Sequence, residues 1–287
     1  MILSIGEILA DLTLLDEGKT SLNLGGAPFN LAVNAKLNGS NVGFVGSVGK
    51  DVVGNFLIDK AQTYKLDYLN INQLDRNTTL AFVSLVKGER SFSFFRRGTA
   101  DYLLDYKSLD LSVFEGLKIL HIGSLMLSEK EGRKALKSLF LQAKKLNIKI
   151  SFDVNLRGVF KSDKQAKKYY SFALNNADII KLTDEELFYF TNESDLTVAI
   201  NSFAKNNVLY LVTMGEKGSM YFYNDKSVMV PAQKVTPIDT TGAGDAFFGT
   251  FLSEIEDVSF TEENILHALR KANQKGAEAT QRVGALP

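Results

Sequence analysis

The chain contains no cysteine, and only four of its 287 residues are proline. Without cysteine there is no disulfide, no thiolate metal site and no cysteine nucleophile. Histidine is almost as scarce. His121 and His267 are the two present, and neither belongs to a zinc-binding motif or a hydrolase triad, so both read as structural, with His121 at a strand end beside a potential pocket. No sign of charge dominates: Lys plus Arg and Asp plus Glu each total 33, for a formal net charge of zero. Nucleic-acid binders ordinarily carry a basic excess, so that class is disfavoured. No apolar run approaches the roughly 20 residues of a membrane-spanning helix. The opening segment Met1 to Glu7 has no basic leader and meets Glu7 and Asp11 early, so it reads as a first core strand and the protein as cytoplasmic.

What the chain does contain is an ordinary globular balance, 45% hydrophobic and 23% charged, in a length that suits one large domain or two smaller ones. No linker or low-complexity stretch divides it, so residues 1–287 are expected to form a single domain. Short apolar β-rich runs at 41–48, 118–123, 148–153, 177–181 and 208–213 have the character of buried parallel strands. Between them lie helical segments such as 129–146, where Ala135, Leu136, Leu139, Phe140, Ala143 and Leu146 form one stripe. This alternation predicts a three-layer α/β/α architecture around a mostly parallel sheet.

Two segments break the rhythm. Residues 78–98 alternate β-branched and aromatic residues around Lys87-Gly88-Glu89-Arg90, the pattern of a hairpin, and 12–22 resembles a smaller one turning at 16–19. Together, over about 12–23 and 78–98, they are expected to form a small sheet. Such a sheet is unstable until one face is covered, so it predicts a lid over a ligand, over a second subunit, or over both. The competing expectation is a hairpin packed on the edge of the main sheet.

The strongest chemical signal is Asp239-Thr240-Thr241-Gly242-Ala243-Gly244-Asp245, which opens an apolar helical segment ending near Ile255. Glycines at a helix start let backbone N–H groups converge on an anion, and the helix dipole adds partial positive charge. Asp245 falls in the first turn, where the dipole favours its ionised form. Phosphoryl transfer needs this combination: donors for charge on the phosphoryl oxygens, and a carboxylate to orient the attacking hydroxyl and take its proton. A second signal is Gly25-Gly26-Ala27-Pro28-Phe29-Asn30. There the glycines allow close backbone approach, Pro28 suits a first helical turn, and Asn30 offers an amide near the helix start.

The two motifs together resemble the paired signatures of the ribokinase-like, or PfkB, carbohydrate kinase family, and the likeness extends over nearly the whole chain. Further stations appear in order: Gly6-Glu7 through Asp11, Thr78 to Val83, Asp153-Val154-Asn155-Leu156-Arg157, Val212 to Gly218, and Ala272-Asn273. Gly88 to Phe92, Phe95-Arg96, Ala100-Asp101 and His121 to Ser124 are most similar to bacterial fructokinases.

The resemblance implies a set of roles. Asp245 would be the catalytic base, with Gly242, Ala243 and Gly244 forming the anion hole. Asp11, Gly26 and Asn30 would contact the sugar, Arg157 would lie near sugar or phosphate, and Arg96 would reach in from the lid. Lys181, Thr213, Gly215 and Gly218 would serve the nucleotide, with Asn273 near adenine. Glu186 would organise Mg²⁺ through water, although Thr183 stands where the family often has Asn. Asp239 and Thr241, with Val283-Gly284, match a monovalent-cation loop, which makes K⁺ a candidate. The reaction implied is transfer of the γ-phosphoryl of MgATP to D-fructose at C6, in a dimer formed lid to lid. The nearest alternative substrate is 2-keto-3-deoxygluconate, whose carboxylate Arg96 and Arg157 would suit, but Phe94 stands where those relatives tend to carry Tyr. More distant alternatives are a non-catalytic sugar sensor and an NAD-dependent sugar dehydrogenase. Gly46-Ser47-Val48-Gly49-Lys50-Asp51 is no nucleotide loop, because Phe44 and Asp51 occupy the positions that need Gly and Ser/Thr. No Gly-x-Gly-x-x-Gly follows the first strand, which speaks against the dehydrogenase.

Overall fold

Strand β1 (Ile2–Ile5) pairs in parallel with β8 (Ile119–Ile122) on one side and β4 (Val42–Gly49) on the other. It therefore lies inside a large sheet, and its four residues are fully buried. The computed structural model describes residues 1–14, 20–86, 89–156 and 164–287. The sheet has nine strands. Beyond β4 comes β5 (Tyr68–Leu74). Beyond β8 come β9 (Lys149–Asp153), β10 (Ile179–Thr183), β11 (Leu209–Thr213), β12 (Ser219–Tyr223) and β13 (Lys226–Val230). Pairing is parallel from β5 through to β11, and β12 and β13 complete the edge antiparallel.

The strands are apolar at consecutive positions because both faces are covered. In β10 and β11, Ile179, Leu209 and Leu211 turn to one face. There they join residues of α1 (Ala27–Leu37), α2 (Val52–Thr63), α7 (Ala243–Ile255) and α8 (Glu262–Ala279). Ile180, Leu182, Tyr210 and Val212 turn to the other, toward α3 (Lys130–Lys145), α4 (Lys164–Leu174), α5 (Asp184–Thr191) and α6 (Leu196–Phe203). This is the ribokinase-like layering, with helices on both faces of the sheet. Helix α3 buries Ala135, Leu136, Leu139, Phe140 and Ala143 as its periodicity predicts. Leu146 is a correction to that stripe: it is the C-cap, past the last helical turn, and is exposed.

The second, smaller sheet has the order β3-β2-β6-β7, with β2 (Leu9–Leu14), β3 (Thr20–Gly25), β6 (Leu80–Val86) and β7 (Glu89–Phe95). Its first hairpin is longer than the expected 12–22, because Leu9, Ala10 and Leu24 continue the pairing down to the buried core. The turns at 15–19 and 87–88 lie outside the described residues. The two hairpins join through parallel pairing of β2 with β6, which sets Asp11 opposite Ala81.

Helix α7 begins at Ala243, with Gly242 as its N-cap in the left-handed region at φ 76°. A Cβ there would lie 2.7 Å from Ala285 Cα, so no side chain fits. Further along, α7 runs against α1 so closely that a Cβ on Gly249 would sit 2.5 Å from the Leu31 carbonyl oxygen. That oxygen belongs to a helix and cannot swing aside. Gly249→Val is expected to cost about 2–3 kcal/mol by forcing the helices apart, seen as a fall of several degrees in thermal unfolding. An unchanged midpoint would show that the crossing is softer than this geometry requires.

Candidate active site

Helices α1 and α7 both start at the rim of one cavity of about 270 Å³. Its walls include Glu7, Asp11, Gly26, Asn30, Asp153, Asn155, Lys181, Thr240, Thr241, Gly242, Gly244 and Asp245. Most wall-bearing segments follow the carboxyl ends of parallel strands, where open α/β sheets place their ligands. Leu9 and Phe94 reach in from the small sheet, and Ser124 and Leu125 from the segment after β8.

The N-cap Gly26 has φ 115°, and a Cβ on it would strike the Glu7 carbonyl oxygen at 2.4 Å. Pro28 sits in the first turn of α1, tied down by Ser4 Oγ, which donates to its carbonyl at 2.7 Å. One turn into the helix, Asn30 Nδ2 donates to Asp245 Oδ2 at 2.8 Å. Asn30 is itself steadied by Asn34, whose Nδ2 donates to the Asn30 carbonyl at 2.8 Å. The other amide atom, Asn30 Oδ1, is enclosed and has no protein partner among the described residues. An acceptor is thus available beside the acid. In α7 the first ordinary helical bond is from Ala246 N to Gly242 O at 2.8 Å, and before it Ala243 N donates to Thr240 O at 3.3 Å, which leaves Gly244 N in the open first turn. On β2, Asp11 lies against Gly25, where a Cβ would come within 2.1 Å of Asp11 Oδ2.

The cavity therefore offers a carboxylate and open amides at one helix mouth, with further hydroxyl-binding groups opposite. Comparison with known proteins decides what this set belongs to. The sequence matches the pfkB family carbohydrate kinases across residues 1–287. The chain belongs to that family.

A relative named probable fructokinase-2 from Arabidopsis thaliana is 35% identical over 302 residues, covering 100% of this chain and 92% of its own. Among solved structures, a fructokinase from Xylella fastidiosa with bound ATP superposes with a TM-score of 0.91 at 30% identity, covering 100% and 94% of the two chains. A Vibrio cholerae O395 fructokinase in its fructose, ADP and calcium ion bound form superposes with a TM-score of 0.90 at 29% identity, covering 99% and 94%.

Not every residue singled out in the sequence of this kinase reaches the cavity. Arg96 does not. It is buried at the root of the small sheet, where its Nε donates to Asp101 Oδ2 at 2.7 Å, its Nη1 bonds Ser128 Oγ, and its guanidinium covers the Tyr102 ring at 5.0 Å. It is absent from the cavity wall, and its Nη2 is enclosed with no hydrogen-bond partner among the described residues. Thr213, Gly215, Gly218 and Asn273 gather instead around the β11–β12 turn and α8, away from the cavity wall. Gly218, at φ 104°, faces Val230 O, to which a Cβ would come within 2.2 Å. Asn273 fastens that edge: its Oδ1 accepts from Ser219 Oγ at 2.8 Å and its Nδ2 donates to Val230 O at 3.0 Å. Arg157 lies outside the described residues.

Glu186 and Thr183 form a reciprocal capping box at the start of α5, and the second Glu186 oxygen accepts from Leu156 N at 2.5 Å. Burial pushes the Glu186 carboxyl up, against the pull of Lys181 and these backbone donors. Asp239 is buried and ties two segments together, accepting from Thr241 N at 2.7 Å and Gly284 N at 2.9 Å. His121 stays in the core, its Nδ1 3.0 Å from Ser151 Oγ, and burial lowers its pKa to about 3. The segment 46–51 ends β4, and Asp51 caps α2 by accepting from Gly54 N at 2.7 Å.

Several wall residues carry no role in the sequence reading, among them Glu7, Ser124 and Asp153. Asp153 pairs with Lys181, its neighbour in the β9–β10 register, at 2.9 Å and 3.0 Å. Burial disfavours the ammonium, but Asp153 and then Glu186 outweigh it, so the Lys181 pKa lies above its ordinary value. A Cβ on Gly244 would stand 3.2 Å from Lys181 Nζ, so the bare glycine lets this cation approach the anion hole. Asp153→Leu should leave that ammonium buried and unpaired, at a cost of about 3–5 kcal/mol in chemical denaturation. Adding Lys181→Met should restore most of the loss. A double variant as unstable as the single one would deny the ion pair its structural part.

Glu7 offers a second check. Burial raises its pKa to about 8, with its own backbone N–H and Arg96 opposing, and Asp101 and Asp245 reinforcing. The unfolded chain ionises this group near its ordinary value of 4.5 while the folded protein keeps it neutral. Stability is therefore lost as pH rises between those values, by up to about 1.4 kcal/mol per pH unit. Relative to Glu7→Gln, the unaltered protein should fall steadily behind from about pH 5 to about pH 8 in thermal melts. Parallel curves would contradict the buried neutral acid.

Proposed function

We propose that this kinase is a cytoplasmic fructokinase that transfers the γ-phosphoryl group of ATP to the C6 hydroxyl of D-fructose. The observation that carries the reading is the Asn30–Asp245 contact at the mouths of two helices, inside a cavity rich in groups that bind hydroxyls. The relatives support the substrate: the Arabidopsis and Xylella proteins bear the name fructokinase, and the Vibrio protein is described with fructose and ADP bound.

In this reading the sugar occupies the cavity, with Asp11, the Gly26 backbone and Asn30 Oδ1 engaging its hydroxyls. Asp11, an acceptor for two hydroxyls at once, fixes which one faces α7. The C6 oxygen attacks the γ-phosphorus as the bond to the β–γ bridging oxygen breaks, and Asp245 receives the hydroxyl proton. ADP leaves with the bridging oxygen. Asn30 Nδ2 holds the receiving carboxylate in place. The amides around Gly242, Ala243 and Gly244, with Lys181 beside them, stabilise charge on the transferred group. Thr213, Gly215, Gly218 and the region around Asn273 form the nucleotide side. Leu9 and Phe94 cover the sugar and exclude water as a competing acceptor.

Among the described residues no three acidic or histidine side chains converge on a metal site. That donor set suits a Mg²⁺ that comes with the nucleotide phosphates and keeps most of its waters, organised at a distance by Glu186. Bound there, Mg²⁺ supplies charge neutralisation on the phosphates. Asp239 and Thr241, drawn up to Gly284, would hold a monovalent cation, and a Vibrio cholerae fructokinase double mutant is described with a potassium ion bound. The small sheet leaves Phe95 62% exposed and in ring contact with Phe82, the kind of surface that suits pairing of two lids.

A coupled assay of ADP release over fructose, ribose, tagatose, ketodeoxygluconate and nucleosides tests the activity. Fructose should give the highest kcat/KM of the panel, and a place among the poorest would refute the substrate. Asp245→Asn should lower kcat about 10²–10⁴-fold while fructose still binds, as read by calorimetry. Turnover near the normal rate would remove Asp245 as the base.

A further inference from the structure

Glu7 has no part in the mechanism above, yet it lies on the cavity wall with Asp11, Asn30 and Ser124. It follows β1, is 3% exposed, and carries an enclosed oxygen, Oε2, with no hydrogen-bond partner among the described residues. Two glycines make room for it. A Cβ on Gly123 would lie 2.6 Å from Oε2, and one on Gly26 would strike the Glu7 carbonyl. Leaving a buried carboxyl oxygen unmet is costly, so a polar group that enters the cavity gains by meeting it. The charged groups facing Glu7 are Arg96, Asp101 and Asp245. Arg96 is held by Asp101 and Ser128, while its Nη2 has no hydrogen-bond partner among the described residues and does not bond Glu7; the two carboxylates disfavour a second negative charge nearby. A neutral carboxyl both donates and accepts, which matches a polyhydroxylated ligand and complements Asp11, an acceptor alone when ionised.

We propose that Glu7 is a further substrate-contacting residue of the kinase, whose carboxyl hydrogen-bonds a sugar hydroxyl at the end of the cavity formed by β1 and β8. This rests on the reading of the cavity as the sugar site. Discrimination follows from the same contact, because a sugar lacking that hydroxyl leaves the buried acid unmet.

Steady-state kinetics of Glu7→Leu and Glu7→Gln, with fructose, its singly deoxygenated analogues and ATP varied in turn, tests this. Glu7→Leu should raise the KM for fructose about tenfold or more and leave the KM for ATP unchanged. Glu7→Gln, which keeps a donor and an acceptor, should remain within about threefold of the original. One deoxy analogue should lose its penalty against Glu7→Leu, so that the two deletions are not additive. The fructose KM of the unaltered enzyme should climb above about pH 8, while that of Glu7→Gln stays flat. Should Glu7→Leu fail to fold, the paired pH profiles of Glu7→Gln and the unaltered enzyme decide instead. An unchanged fructose KM in folded Glu7→Leu, or identical pH profiles, would overturn the contact and leave the acid paired to Arg96 through water. Absence of fructose turnover in the unaltered enzyme would sink the proposed activity itself. A normal rate with indifferent Glu7 variants sinks this inference alone.

Discussion

Two helix beginnings meet at one point, and the working geometry of the molecule depends on how closely they can be brought together. The limit is set at Gly249, where α7 touches the Leu31 carbonyl of α1 with no room for a methyl group. That spacing carries Asp245 to within 2.8 Å of Asn30, residues 215 positions apart in the chain. Both helices direct their positive ends toward the same small volume, so a carboxylate there is favoured twice over. The glycines around it are therefore not interchangeable. Gly242 admits Ala285, Gly244 admits Lys181, Gly25 admits Asp11, and Gly26 admits the Glu7 backbone.

Around that point the fold carries several buried ionisable groups, made tolerable in two ways. Lys181 and Asp153 neutralise one another across adjacent strands. Arg96 and Asp101 do the same at the root of the small sheet, where Thr79 and Thr99 also donate to Asp101 at 2.5 Å and 2.9 Å. Thr79 immediately precedes β6 and Arg96 immediately follows β7, so one buried carboxylate gathers both ends of that hairpin. Glu7 has no such partner and is kept neutral by burial. These solutions differ in what they permit: an ion pair fixes geometry, whereas an unmet acid leaves a contact open.

The layered architecture was legible because buried parallel strands are apolar at every position, a signal that survives without neighbours. The five strands expected from 41–48 to 208–213 appear within one or two residues, and α3 buries the stripe its spacing indicates. Asp245 and Asn30 were legible for a related reason: glycine runs at helix starts are visible in one dimension. The role of Arg96 came from the family resemblance alone, and its pairing with Asp101 becomes evident only when the loop is closed. Glu7, Ser124 and Asp153 stand in segments that carry the family resemblance, but nothing local gives them a role. Their place on the wall arises from strands β1, β8 and β9 ending side by side, a property of the sheet order. Leu146 failed at a helix end, where periodicity outruns the helix.

The cavity joins a polar floor to an apolar cover, and that division has a chemical consequence. The floor comes from the main sheet and the two helix starts, elements whose backbone groups are held by their own hydrogen bonds. The cover comes from the small sheet, which contributes Leu9, Phe94 and one carboxylate, Asp11. Asp11 is the polar exception in that cover, a carboxylate set on β2 of the small sheet, and the remaining polar groups of the wall belong to the floor. The cover's apolar side chains make the cavity drier, so that the charges of Asp11 and Asp245 stand in a lower dielectric. The small sheet thus brings both apolar cover and one preorganised carboxylate, and it is joined to the main sheet where β1 passes through Glu7 into β2.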